Sequence, residues 1–106
     1  MRKQKRGSEK SAIEEDVPGY VFHLFVAGAS PNSSRAIANL QEICETHLKG
    51  RYHLEVIDVY QQAERARQES LVALPQLIKR SPLPERKFIG DLSDRTRVLK
   101  GLGLSA

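Results

Sequence analysis

Tyr20-Val21-Phe22-His23-Leu24-Phe25-Val26 and the turn that follows it, Ala27-Gly28-Ala29-Ser30-Pro31-Asn32-Ser33, decide the fold of this 106-residue chain. Nearly every position from Tyr20 to Val26 is aromatic, branched or otherwise apolar, a pattern that belongs to a strand covered on both faces rather than one. Such a strand is central to its sheet. The next segment supplies turn chemistry and helix-capping side chains, with Ser33 or Asn32 placed to accept the first free backbone N–H groups of a helix. That helix runs to about Leu48, because Ala36, Ile37, Leu40, Ile43, Cys44, His47 and Leu48 recur at helical spacing and build one apolar stripe. Gly50 ends it. Tyr52 to Val59 alternates Tyr52, Leu54 and Val56 against His53 and Glu55, then turns apolar at Ile57, and reads as a second strand. Strand, helix, strand at this spacing implies a right-handed parallel crossover.

The rear half is less sharply written. Gln61 to Leu74 is rich in helix formers, but its stripe of Ala63, Ala66, Leu71 and Leu74 is thin, so weak packing is expected there. Pro75 precedes a short apolar pair, Leu77-Ile78, and Pro82 and Pro84 bracket a turn before Phe88-Ile89, a short strand. Gly90-Asp91-Leu92 makes a further turn, and Ser93 is a fitting N-cap for a last helix carrying Leu92, Val98, Leu99 and Leu102. Gly101 and Gly103 each cost about 1 kcal/mol relative to Ala inside a helix. The order is β-α-β followed by α-β-β-α, an α/β chain with a single core.

A chain of this length supports one domain. Residues 1–19 contain few apolar side chains and end at Pro18-Gly19, so they read as a disordered polar leader, with the domain spanning 20–106. No apolar run is long enough to span a bilayer, and no secretion signal follows the basic start; a cytoplasmic location without membrane contact is the expectation. The net charge is +4, which raises the question of phosphate-backbone binding. However, Arg2, Lys3, Lys5, Arg6 and Lys10 are followed at once by Glu14, Glu15 and Asp16, and from Tyr20 onward 12 basic residues face 9 acidic ones. A nucleic-acid partner is therefore not expected.

Catalytic constellations fare no better. The single cysteine, Cys44, cannot close an internal disulfide and sits on the apolar stripe of the first helix, where a small apolar role is expected of it. Dithiol redox chemistry needs a low-pKa thiol at the mouth of that helix, usually with a second three residues on; Ser30-Pro31-Asn32-Ser33 stands there instead. His23, His47 and His53 have no matching Asp or Cys constellation, Glu42 and Glu45 read as solvated charge, and Gly28 alone makes no phosphate loop. No enzyme activity, metal or cofactor is expected, and a vestigial thiol oxidoreductase through Cys44 is the weakest alternative. What remains is a binding surface. Arg65, Arg67, Arg80, Arg86, Lys87, Arg95, Arg97 and Lys100 give the rear half a basic bias suited to an acidic protein partner.

Several segments resemble one family. Leu24-Phe25-Val26-Ala27-Gly28-Ala29-Ser30-Pro31-Asn32-Ser33-Ser34-Arg35-Ala36 is similar to the LYVAG-x-x-PNS-x-RA segment of the circadian-clock KaiB family. So are Val56-Ile57-Asp58-Val59, Leu74-Pro75-Gln76-Leu77 and Ile89-Gly90-Asp91-Leu92-Ser93-Asp94-Arg95, in the same order, from Tyr20 to about Leu104. The resemblance implies a non-enzymatic adaptor that docks on the ATPase ring of a KaiC-type protein and modulates timing output, with KaiA and a SasA-type kinase as further partners and self-association to a dimer or tetramer. It implies a thioredoxin-like front half and a rear half that is either thioredoxin-like (βαβαββα) or rearranged (βαββααβ), a switch between two folds being tolerable only where they differ by a few kcal/mol. It marks Arg35, Arg86 and Lys87 as basic interface positions, Pro75 as the proline that is cis in the thioredoxin-like arrangement, and Gly101 and Gly103 as switch positions. The chain departs from the family pattern at Glu55, Gln62-Ala63, Ser70 and the ending Gly101-Leu102-Gly103-Leu104-Ser105-Ala106. Those departures carry the alternative of a clock-independent stress-response or signalling protein of the same family.

Overall fold

A computed structural model describes residues 19–104, so the expected leader lies, Gly19 apart, outside the described residues. The elements run β1 (Tyr20–Val26), α1 (Pro31–His47), β2 (Tyr52–Asp58), α2 (Ala63–Arg67), β3 (Gln76–Ser81), β4 (Arg86–Ile89) and α3 (Arg95–Leu102). The four strands form one mixed sheet in the order β2-β1-β3-β4. β1 pairs parallel with β2 from Tyr20 opposite Tyr52 to Val26 opposite Asp58, while β1–β3 and β3–β4 are antiparallel. This is the thioredoxin order of elements.

β1 is interior, as its composition predicts, and alternation along it divides the core into two layers. Phe22, Leu24 and Val26 point to one face with Leu77, where the α1 stripe of Ala36, Leu40, Ile43, Cys44 and Leu48 meets Val98, Leu99 and Leu102 of α3. Phe25 points to the other and forms a smaller cluster with Ile57 and Ile78, covered by Val59, Leu71 and Leu74. Val56, by contrast, is exposed on the edge strand β2.

Three expectations change. The helix predicted over Gln61–Leu74 is confined to Ala63–Arg67, with no side-chain cap at Gln62; burying Leu71 and Leu74 against Ile57 and Ile78 requires a path that a continuous helix with a thin stripe does not offer. α1 starts two or three residues earlier than expected, with Ser30 rather than Asn32 or Ser33 as N-cap, its side chain accepting the Ser33 N–H, and Pro31 in the first turn, where its missing N–H costs nothing. α3 is capped by Asp94, whose carboxylate accepts the Arg97 N–H at 3.2 Å, rather than by Ser93. Leu92 is therefore outside the helix, in a left-handed turn (φ 63°) that still delivers its side chain to the core at 6% exposure.

The rear half is also more firmly built than its sequence suggests. β3 is a central strand, and Leu77 and Ile78 are fully buried. α2 buries no residue, and the edge strand β4 is exposed at Arg86, Lys87 and Ile89.

Candidate functional site

The mouth of α1 is assembled by hydroxyls. Ser30 Oγ donates to Ser33 Oγ (2.9 Å) and accepts the Ser33 N–H, while Ser33 Oγ accepts the Ala27 N–H at 3.1 Å, so the β1–α1 turn is stitched to the first helical turn. Asp58 Oδ1 accepts the N–H groups of Gly28 (3.3 Å) and Tyr60 (2.9 Å), joining that turn to the end of β2. Ser33 is fully buried, and its hydroxyl is engaged on both sides. No group here is poised as a nucleophile. Cys44 lies within the α1 stripe at 0% exposure, and burial, with a smaller contribution from Glu45, pushes its thiol up to about 12. A thiol held that high carries almost no thiolate at neutral pH.

Arg35 projects from α1 towards the β4–α3 turn. Its Nε donates to Asp91 Oδ2 at 3.3 Å, and its guanidinium also meets Asn32. Asn39, one helical turn on, donates to the Asp91 carbonyl at 2.8 Å. The Asp91 carboxyl is held below its ordinary value, by the bonds from Ser93 first and by Arg35 second. Arg35, an expected interface residue, thus also ties the strained Leu92 turn to α1.

Pro75 is buried at the start of β3, the Leu74–Pro75 peptide is cis, and the Pro75 carbonyl accepts the Gly90 N–H at 3.0 Å. Arg86 and Lys87 are adjacent on the edge strand β4, both exposed, and alternation sends them to opposite faces. Lys87 borders a groove of about 410 Å³ with Gln76, Asp91 and Arg97. Arg86 borders a second groove, of about 290 Å³, together with Gly101 and Gly103. The six expected site residues therefore fall in separate places: three share the second groove, Lys87 lines the first, Arg35 braces the turn beside it, and Pro75 is interior.

The glycines change meaning on inspection. Gly103 is not inside α3 but is its left-handed C-cap (φ 79°), a position that glycine favours. Gly101 is helical, and a Cβ there would stand 2.4 Å from the Phe88 ring. Its lack of a side chain permits α3 to close onto β4.

The basic bias of the rear half is likewise sorted by the fold. Arg65 pairs with Glu55, Arg67 with Glu64, Arg80 with Glu69 and Glu85, and Arg95 with Glu42. Arg86, Lys87, Arg97 and Lys100 have no ion-pair partner among the described residues. On the α2 side of the sheet, Arg80 Nε donates to His23 Nδ1 at 3.1 Å, which makes Nδ1 an acceptor, while Nε2 faces Glu55 Oε1 at 3.8 Å. Burial first, and then Arg80, lowers the His23 pKa. Sequence reading missed this network because its members come from β1, β2, α2, β3 and the loops flanking β3; no spacing along the chain announces them.

Comparison with known proteins places this geometry. The KaiB domain family model matches residues 23–104. Proteins named circadian clock oscillator protein KaiB are 53% identical over 85 residues in Picosynechococcus sp. (80% of this chain, 82% of the relative) and 52% identical in Acaryochloris marina (80% and 82%). Among solved structures, the N-terminal domain of Synechococcus elongatus SasA superposes with a TM-score of 0.64 at 25% identity, covering 80% of this chain and 84% of that one. Mitochondrial thioredoxin 3 of Saccharomyces cerevisiae superposes with a TM-score of 0.65 at 16% identity, covering 82% and 79%, a likeness of fold alone. Among the described residues no helix is long and apolar enough to cross a membrane. With a thioredoxin-like sheet, a serine-lined mouth in place of a dithiol, and a family match across almost the whole described domain, the chain belongs to the KaiB family.

Proposed function

We propose that this chain is a non-enzymatic adaptor of circadian timing that binds a KaiC-type ATPase ring. The observation that carries the reading is the KaiB match over residues 23–104 on a fold whose catalytic corner holds Ser30-Pro31-Asn32-Ser33 and whose one thiol, Cys44, is buried. A thioredoxin-like frame stripped of its dithiol keeps its surfaces and loses its chemistry. Arg35, Arg86 and Lys87 are the basic residues proposed to meet the partner, because all three are exposed and electrostatic complementarity sets orientation and encounter rate. The likeness to a SasA domain supports shared recognition of clock partners, and self-association to a dimer or tetramer belongs to the same reading.

A pull-down with the cognate KaiC-type ATPase, with and without ATP, tests it. A complex at micromolar concentration, weakened by R86E and K87E together, is the expected result. Absence of any complex in either nucleotide condition would refute the proposal and favour the clock-independent reading, to which the departures at Glu55 and Ser70 point.

A further inference from the structure

Lys79 lies on β3 directly opposite Arg86 of β4, and its residue is only 4% exposed. Like charges at directly opposed positions of an antiparallel pair repel, and a buried ammonium without a counter-charge is costly. Burial, with Arg86 adding to it, lowers the Lys79 pKa. Among the described residues Lys79 has neither an ion pair nor a side-chain hydrogen bond. It lines the groove of about 290 Å³ between the Pro82–Pro84 loop and the end of α3, where Lys100 supplies a third cation and no described carboxylate takes part.

Three carbonyls at the end of α3, a helix end that favours an ammonium, already accept hydrogen bonds. Leu99 O accepts the Leu104 N–H at 2.8 Å, Lys100 O accepts the Gly103 N–H at 3.1 Å, and Leu102 O accepts the Tyr20 hydroxyl at 3.4 Å. Three cations thus converge on one recess from two strands and a helix, and the most buried of them has no polar side-chain partner among the described residues. We propose that Lys79, Arg86 and Lys100 form a binding site for a phosphate dianion, free or as a monoester, in this groove. Arg86 supplies a planar fork and the two lysines point charges, the combination by which phosphate oxygens are recognised. The site needs only this chain, although it shares Arg86 with the surface proposed to meet the partner.

The full chain is titrated with inorganic phosphate, and separately with O-phosphoserine, at ionic strength held constant with chloride, while amide shifts are followed by NMR. Saturable changes confined to Lys79, Arg86 and Lys100 to Gly103 are expected, with affinity about tenfold or more lower in K79M and in K100M, as loss of one charge-assisted contact requires. Saturation by phosphate alone assigns a free-anion site, and saturation by phosphoserine assigns one open to monoesters; either supports the proposal. K79M should also raise the thermal midpoint in the absence of phosphate. Shifts that chloride reproduces, that do not saturate, or that survive unchanged in both variants would overturn it, and the exposed Lys100 keeps the test valid should K79M misfold.

Discussion

Replacing Gly101 by Ala separates two readings of the last helix. On helix propensity alone, G101A should stabilise the protein by about 1 kcal/mol. In the folded chain, however, the new Cβ would lie 2.4 Å from Phe88 Cε2 and 2.6 Å from Cζ. Carbon atoms pack at about 3.5–4.0 Å, so the ring must retreat by roughly 1 Å. Phe88 is half-buried against the main core, and overpacking of this kind costs about 1–3 kcal/mol. The two terms leave G101A between neutral and about 2 kcal/mol less stable. Shortening the ring in F88L removes the collision, so in that background the same substitution should stabilise by up to about 1 kcal/mol. Urea unfolding of the four proteins, followed by far-UV circular dichroism, closes a double-mutant cycle with an expected coupling of about 1–3 kcal/mol. A coupling below about 0.5 kcal/mol, or equal stabilisation in both backgrounds, would refute the claim that Gly101 is selected by its contact with β4.

Three further outcomes are expected. Ellman's reagent should fail to label Cys44 in the native protein, because the thiol is buried and pushed up to about 12, and should label it on unfolding; prompt native labelling would contradict the packing of α1. His23 has a lowered pKa in the fold, set by burial and by Arg80 against the opposing effects of Glu55 and Glu69, with Arg65 also facing it. Its contribution is therefore complete above the unfolded value of about 6.5 and is lost as pH falls through the lower folded value. H23Q should flatten the fall in stability that sets in as pH drops below the unfolded value of about 6.5, and an unchanged profile would sink the assignment. S30A removes the acceptor for the Ser33 N–H and should cost about 1 kcal/mol, with G in the same place costing only a few tenths, as read from chemical denaturation.

How much was legible along the chain follows from what each residue interacts with. β1, α1 and β2 were readable because their signals are local: an apolar run, a capping turn, and a stripe at helical spacing each lie within one stretch of sequence. The family likeness was readable for the same reason, since it rests on short ordered segments from Leu24 to Arg95. The short α2 was not, because the turns after Arg67 are chosen by Leu71 and Leu74 reaching Phe25 and Ile57, residues far away along the chain. Gly103 read as a helix-weakening residue because nothing local distinguishes a helical glycine from the C-cap just beyond the last turn.

The candidate sites divide along the same line. Sequence alone determined the parallel front half, the absence of a dithiol and the surplus of basic residues in the rear half. Only the tertiary structure decided which of those cations are neutralised: Arg65, Arg80 and Arg95 find carboxylates on other elements, whereas Lys79, Arg86 and Lys100 are gathered around one groove with none among the described residues. Charge counts are additive along a chain, but the field at a site depends on distance and burial, and both are set by the register of β3 against β4 and by the close seating of α3 that Gly101 permits.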